Sequence, residues 1–131
     1  MTSAERETLI EQVALAQDID PRLVRALVQI ESSGNPWAWN PEPRYRYFWN
    51  VRDNEPFRLV STREIANVFP PKDFPCLAGD RDQEWWAQQA SWGLMQIMGA
   101  VARELGYIGQ YLTELANPVV NLTYGCKKLK A

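Results

Sequence analysis

The stretch "LVRALVQIESSGNPWAWN", residues 23–40, decides how the chain is read. Asp20 offers a helix cap just before it, and Pro21 suits the first helical position. Leu23, Val24, Leu27, Val28 and Ile30 then follow at helical spacing. "SSGNP" ends the helix, with Gly34 available for a left-handed cap. The last acid before that stop is Glu31. It falls on the same face as Leu23, Val24 and Leu27, away from Arg22, Arg25 and Gln29. A carboxyl group on an apolar face loses hydration when it ionises. That favours the protonated form a general acid needs. The helix dipole gives no reason for a carboxylate in the last turn. The competing reading is an ordinary acid at a fraying helix end, wetted by solvent.

Working outward, a first helix is expected over residues 3–17. Thr2 and Glu5 form a capping box, and Leu9, Ile10, Val13 and Ala14 or Ala16 make its apolar face. Residues 35–60 read as irregular, with four prolines and seven aromatic residues. "STRE", 61–64, opens a short helix to about Phe69, and "PPKDFPC" breaks it. Residues 80–90 read as a helix. "SWGLMQIM", 91–98, precedes another helix running to Leu105 and stopped by Gly106. A short helix near 110–115 follows. Asn117 and Pro118 then open the last helix, whose carboxyl end carries Lys127, Lys128 and Lys130. No strand alternation stands out, so the expected fold is mainly α, one domain over 1–131. The last residues still read as helix, which raises the expectation of a continuation.

Composition narrows the chemistry. The chain has 131 residues and a net charge of −2, which argues against nucleic acid as a partner. It contains no histidine, so Ser-His-Asp and Cys-His catalysis are excluded, as is a zinc site with imidazole ligands. No cofactor or metal is expected. Cys76 and Cys126 suit buried thiols better than a bridge. No stretch reaches the length of a membrane span. The opening "MTSAERETLIEQ" is charged and patterned, unlike a signal peptide.

Two further signals stand beside Glu31. In "SWGLMQIM", Gln96 is embedded among Leu94, Met95, Ile97 and Met98, where its amide would face a ligand or cap backbone. The chain also has six Trp. Indole faces stack on the apolar faces of sugar rings, and they also fill cores. Trp85 and Trp86 read as core. Trp37, Trp39, Trp49 and Trp92 read as cleft candidates.

Together these segments resemble the soluble lytic transglycosylase family, whose domain is related to goose-type lysozyme. "ESSGNPWAWN" is similar to the family's first motif, with Glu31, Ser32, Asn35, Pro36 and Ala38. Gly93 to Met98 are similar to the second, Gly-Leu-Met-Gln followed by an apolar residue and Met. Asn117, Pro118, Asn121 and Gly125 are similar to the third. Two departures stand out. Here 59 residues, 32–90, separate Glu31 from Ser91 where the family has a short gap, so an insertion over about 41–90 is expected to wall or lid the cleft. The family's Ala-Tyr-Asn motif is not among these residues: either it belongs to a continuation after residue 131, or another tyrosine replaces it, with Tyr45, Tyr47 and Tyr124 the candidates.

The resemblance implies a mainly α, lysozyme-like fold. It also implies cleavage of the β-1,4 bond between N-acetylmuramic acid and N-acetylglucosamine in peptidoglycan, with a 1,6-anhydro product. Glu31 would be the catalytic acid and then the base. Ser32, Ser91, Met95, Gln96, Asn121 and Tyr124 would be the substrate-binding residues. The partner would be the glycan strand, met by a monomer at the bacterial cell wall, with delivery by a phage one route. Two other readings stay open. One is a goose-type lysozyme-like hydrolase that activates water with Glu42, Asp53 or Glu55. The other is a noncatalytic glycan-binding module of a phage or secretion apparatus.

Overall fold

The computed structural model describes residues 1–77 and 79–131. Helix α1 spans Ser3–Ala16 and α2 Pro21–Ser32. Strand β1 is Trp39–Pro41, β2 Trp49–Asn50 and β3 Glu55–Pro56, followed by the single-turn α3, Thr62–Ile65. Next come α4, Arg81–Gln88, then β4, Ala90–Trp92, β5, Ile97–Met98, and α5, Gly99–Glu104. A 3-10 turn at Leu112–Ala116 leads into α6, Pro118–Lys130. The fold is mainly α, as the sequence pattern suggested.

The helix starts obey local chemistry. Thr2 accepts from Glu5 N–H, Asp20 from Arg22 N–H, and Asn117 from Val119 and Val120 N–H. Each side-chain oxygen satisfies an amide that the helix itself leaves without a partner. At Ser61 and Glu64 both halves of the capping box form.

Several expectations change. The left-handed cap of α2 is Ser33, with φ 52°, and Gly34 continues it. Helix α3 stops at Ile65 instead of Phe69. Among the described residues, the segments read as strandless contain five short strands: an antiparallel sheet ordered β1-β4-β5 and a β2-β3 hairpin. Strands of two or three residues are too short to show a period-two pattern. Trp85 is fully buried, but its neighbour Trp86 is 45 % exposed. Adjacent residues on a helix point about 100° apart.

Among the described residues, three apolar clusters form the core. Ile10, Ala14, Val24, Val28, Leu94, Leu122 and Cys126 join α1, α2 and α6 around the β4–β5 turn. A second cluster centres on Ile97, Ala102, Leu112 and Leu115. The third belongs to the expected insertion: Phe48, Val60, Phe74 and Trp85, with Phe48 and Trp85 stacked at 4.2 Å. The described residues of the excursion thus have an aromatic core of their own. A buried polar chain ties it to the helices. Gln88 exchanges hydrogen bonds with the backbone of Trp49 and donates to Glu84, at 2.8 Å. Glu84 pairs with Arg103, which also donates to the carbonyls of Tyr107 and Gly109. Cys76 and Cys126 are both free thiols, and burial pushes the Cys126 thiol up from its ordinary value.

One surface network sets an acid limit. Arg58 bridges Glu64 and Asp73. The Arg58 guanidinium, helped by Ser61 N–H, holds Glu64 at about 2, below its usual 4.5. A depressed carboxylate stabilises the fold above its unfolded value, and that contribution is lost as pH falls through the folded one. Acid unfolding followed by Trp fluorescence is therefore expected to steepen between about pH 4.5 and 2. Glu64→Gln should flatten that component without changing stability's pH dependence near neutrality.

Candidate active site

The three sequence motifs meet at one turn, residues 93–96 between β4 and β5. Gly93 has φ +72°, and a Cβ there would lie 2.3 Å from Asn121 Nδ2 and 2.9 Å from the Leu115 carbonyl oxygen. Only glycine meets both demands. Gly93 N–H donates to the Ala38 carbonyl at 2.7 Å, tying this turn to the loop after Glu31. Ser32 Oγ donates to the Leu94 carbonyl at 2.8 Å, with the Val28 carbonyl at 3.1 Å. Asn35 closes the intervening loop, accepting from Trp37 N–H and, through its carbonyl, from Ala38 N–H.

Gln96 takes a left-handed conformation, φ 49°, and uses its whole amide. Its Nε2 donates to the carbonyls of Ala38 and Gly93, and its Oε1 accepts from Asn40 Nδ2. Asn121 binds the turn from α6. Its Oδ1 accepts from Met95 N–H at 2.8 Å, and its Nδ2 donates to the carbonyls of Trp92 and Leu115. Gly125, one turn further along α6, lets Met95 settle against the helix: a Cβ there would fall 2.3 Å from Met95 Sδ.

Glu31 stands beside this junction. It lines a cavity of about 90 Å³ with Leu27, Met95, Ile97, Gly125, Lys128 and Leu129. It is the one carboxylate of that lining, and Lys128 is the one cation. The helix-wheel reading of Glu31 needs correction. Leu23 and Ile30 are exposed, Ile30 at 77 %, and α2 buries only Val24 and Val28. The packed stripe is narrower than the apolar sequence, so Glu31 sits at its open edge, exposed.

The other expected site residues divide. Met95 lines the cavity. Ser32 and Gln96 approach it through their neighbours, but their polar groups are already spent on backbone and Asn40, so they position the turn. Ser91 lies on β4 opposite Met98, its Oγ 3.2 Å from the Met98 sulfur. Asn121 is 0 % exposed and its amide is engaged by the Met95 N–H and the Trp92 and Leu115 carbonyls, so in this structure it holds the turn. Tyr124 packs on Tyr107 at 5.3 Å, under Lys127, and lies outside the cavity lining. Tyr45 is half-buried, and its hydroxyl is pushed up by burial and then by Glu104 and Tyr47. No tyrosine among the described residues lines the Glu31 cavity, so none of Tyr45, Tyr47 and Tyr124 takes the motif tyrosine's place there. None of the described residues of 41–90 contributes to that lining, which corrects the expectation that the insertion walls this part of the cleft. Glu42, Asp53 and Glu55 are exposed and lie outside it too.

Sequence reasoning missed Gly125 as the seat of Met95 and Lys128 as a neighbour of Glu31. Their helical spacing from Asn121 carried that signal. Gly125 lies four positions after Asn121 and Lys128 seven positions after it, so all three share one side of α6.

If Asn121 fixes the turn, Asn121→Ala leaves the Met95 amide and two carbonyls unpaired. An expected cost of about 2–4 kcal/mol follows from the loss of buried partners. Denaturant unfolding checks it, and a change below about 0.5 kcal/mol contradicts the assignment.

Comparison with known proteins places these motifs in context. A family model described as "Transglycosylase SLT domain" matches residues 8–131. No curated protein and no solved structure matches the chain.

Proposed function

The chain belongs to the transglycosylase SLT domain family, a lysozyme-like group that acts on peptidoglycan, and we propose that it is a lytic transglycosylase with Glu31 as its only catalytic acid. The observation that carries this reading is the composition of the cavity: one carboxylate, Glu31, against the Met95 turn, with no second acid.

A single acid suffices if the substrate helps. Glu31 in its protonated form gives its proton to the glycosidic oxygen, and the bond from the anomeric carbon of N-acetylmuramic acid breaks. The substrate's own N-acetyl carbonyl oxygen closes on that carbon in place of the second carboxylate most glycosidases use. Glu31, now a carboxylate, takes the proton of the C6 hydroxyl. The C6 oxygen displaces the acetamido oxygen and leaves a 1,6-anhydro ring. Acid and base are one group in two protonation states. Glu31 is open to solvent in the free protein, and the glycan lying over it supplies the dry surroundings that favour its protonated form.

Met95 packs against a sugar face, and Ser32, Gln96 and Asn121 hold Met95 in place. Residues 1–131 act as one unit, as a monomer, on the bacterial cell wall, with phage delivery one route to it.

Product analysis tests the reaction class. Digested peptidoglycan is expected to yield muropeptides ending in anhydro-muramic acid, each lighter by one water than a reducing-end fragment. Reducing ends as the main product would instead assign a hydrolase.

A further inference from the structure

On the side of β1 and β4 carrying Trp39 and Trp92, two adjoining hollows of about 120 and 210 Å³ open to solvent. Trp39 and Trp86 line both, and Trp92 lines the smaller. Trp39 is 55 % exposed, its ring 6.1 Å from that of Trp92. Trp86 is held by its indole N–H on the Val68 carbonyl, at 3.1 Å. None of these residues lines the Glu31 cavity.

The hollows are mostly apolar but not wholly so. Gln83 lines the smaller one and Gln89 the larger. Both atoms of the Gln83 amide are buried without a hydrogen-bond partner, and so is Gln89 Oε1, on a residue only 2 % exposed. Proteins rarely leave buried amides unpaired, because each lost partner is destabilising. Apolar ring faces beside an unused donor and unused acceptors match an N-acetylated sugar. Its C–H face stacks on indole, and its acetamido group carries one donor and one acceptor.

We propose that Trp39, Trp86 and Trp92, with Gln83 and Gln89, form a second, noncatalytic binding site for N-acetylated β-1,4 glycan. It holds the cell-wall strand away from Glu31. The choice of occupant rests on the proposed peptidoglycan substrate. The site gives the insertion a role, since Gln83, Trp86 and Gln89 all belong to it.

The test uses the full chain carrying Glu31→Gln, sedimented with insoluble peptidoglycan, and the same protein titrated with a soluble β-1,4 N-acetylglucosamine tetramer. Adding Trp39→Ala and Trp86→Ala is expected to weaken both interactions by about tenfold or more. Gln83→Leu keeps shape and removes an unpaired amide. It should leave the thermal transition unchanged or higher while weakening glycan binding several-fold, a split that a purely structural role does not produce. Should the double Trp variant fail to fold, Gln83→Leu decides alone. Unchanged binding in the folded variants overturns the proposal. Trp- and Gln83-dependent binding by a wild-type protein that releases no muropeptides upholds this site and overturns the catalytic reading instead. Muropeptide release with binding indifferent to all three substitutions does the reverse.

Discussion

Glu31→Gln is expected to lower muropeptide release by about 10²–10⁴-fold, the usual contribution of a positioned general acid. The reason is chemical and not structural. Glutamine keeps the size of the side chain but can neither give a proton to the glycosidic oxygen nor take one from the C6 hydroxyl. The fold should hardly notice. Glu31 is exposed, and no ion pair among the described residues includes it. The thermal transition should therefore stay within about 0.5 kcal/mol of wild type. The loss should appear in kcat with KM little changed, because Glu31 acts in the transition state more than in binding. A variant that keeps more than about a tenth of wild-type kcat contradicts an acid-base role.

Arg103→Leu is expected to produce the largest loss of stability, about 3–5 kcal/mol. Arg103 and Glu84 are both buried, and their two contacts are 2.7 and 3.0 Å. Removing the guanidinium strands a buried carboxylate and also frees the carbonyls of Tyr107 and Gly109. The effect reaches the excursion, because Glu84 also receives Gln88, which holds the Trp49 backbone. A fall in Tm on the order of 10–20 °C should accompany it. Replacing both charges, Glu84→Leu with Arg103→Leu, should recover part of that loss, since a buried pair costs more when half-broken than when absent. A single substitution costing under about 1 kcal/mol would falsify the view that this pair joins α4 to α5.

The parts of this protein that were legible in the sequence are those set by neighbours along the chain. Asp20 with Pro21, Ser61 with Glu64, and Asn117 with Pro118 announce helix starts because cap and amide lie within three residues. Gly93 is legible in the sequence as the first residue of the second motif. Its closeness to Asn121 is not, since 28 positions separate them. The Glu84–Arg103 pair escaped for the same reason: a buried ion pair across two helices has no local period. Glu31 shows the opposite failure. Its periodicity was real, but Leu23 and Ile30 never find a partner surface, so the pattern overstated how much of α2 is covered. Trp86 was misread because a Trp pair on a helix cannot place both rings inward. Asn121 was assigned to the substrate by resemblance. Its amide is engaged by the turn that carries Met95 and by the Trp92 and Leu115 carbonyls.

The central claim is that one carboxylate, unaided by a second, performs both steps. The most direct measurement is digestion of peptidoglycan in ¹⁸O-labelled water, with product ends read by mass spectrometry. Three proteins are compared: wild type, Glu31→Gln, and a variant with Glu42→Gln, Asp53→Asn and Glu55→Gln. Unlabelled anhydro ends are expected from the wild type and equally from the triple variant, and none above background from Glu31→Gln. Reducing ends carrying ¹⁸O, or loss of activity in the triple variant, would show that water is activated by a second acid and would contradict the claim.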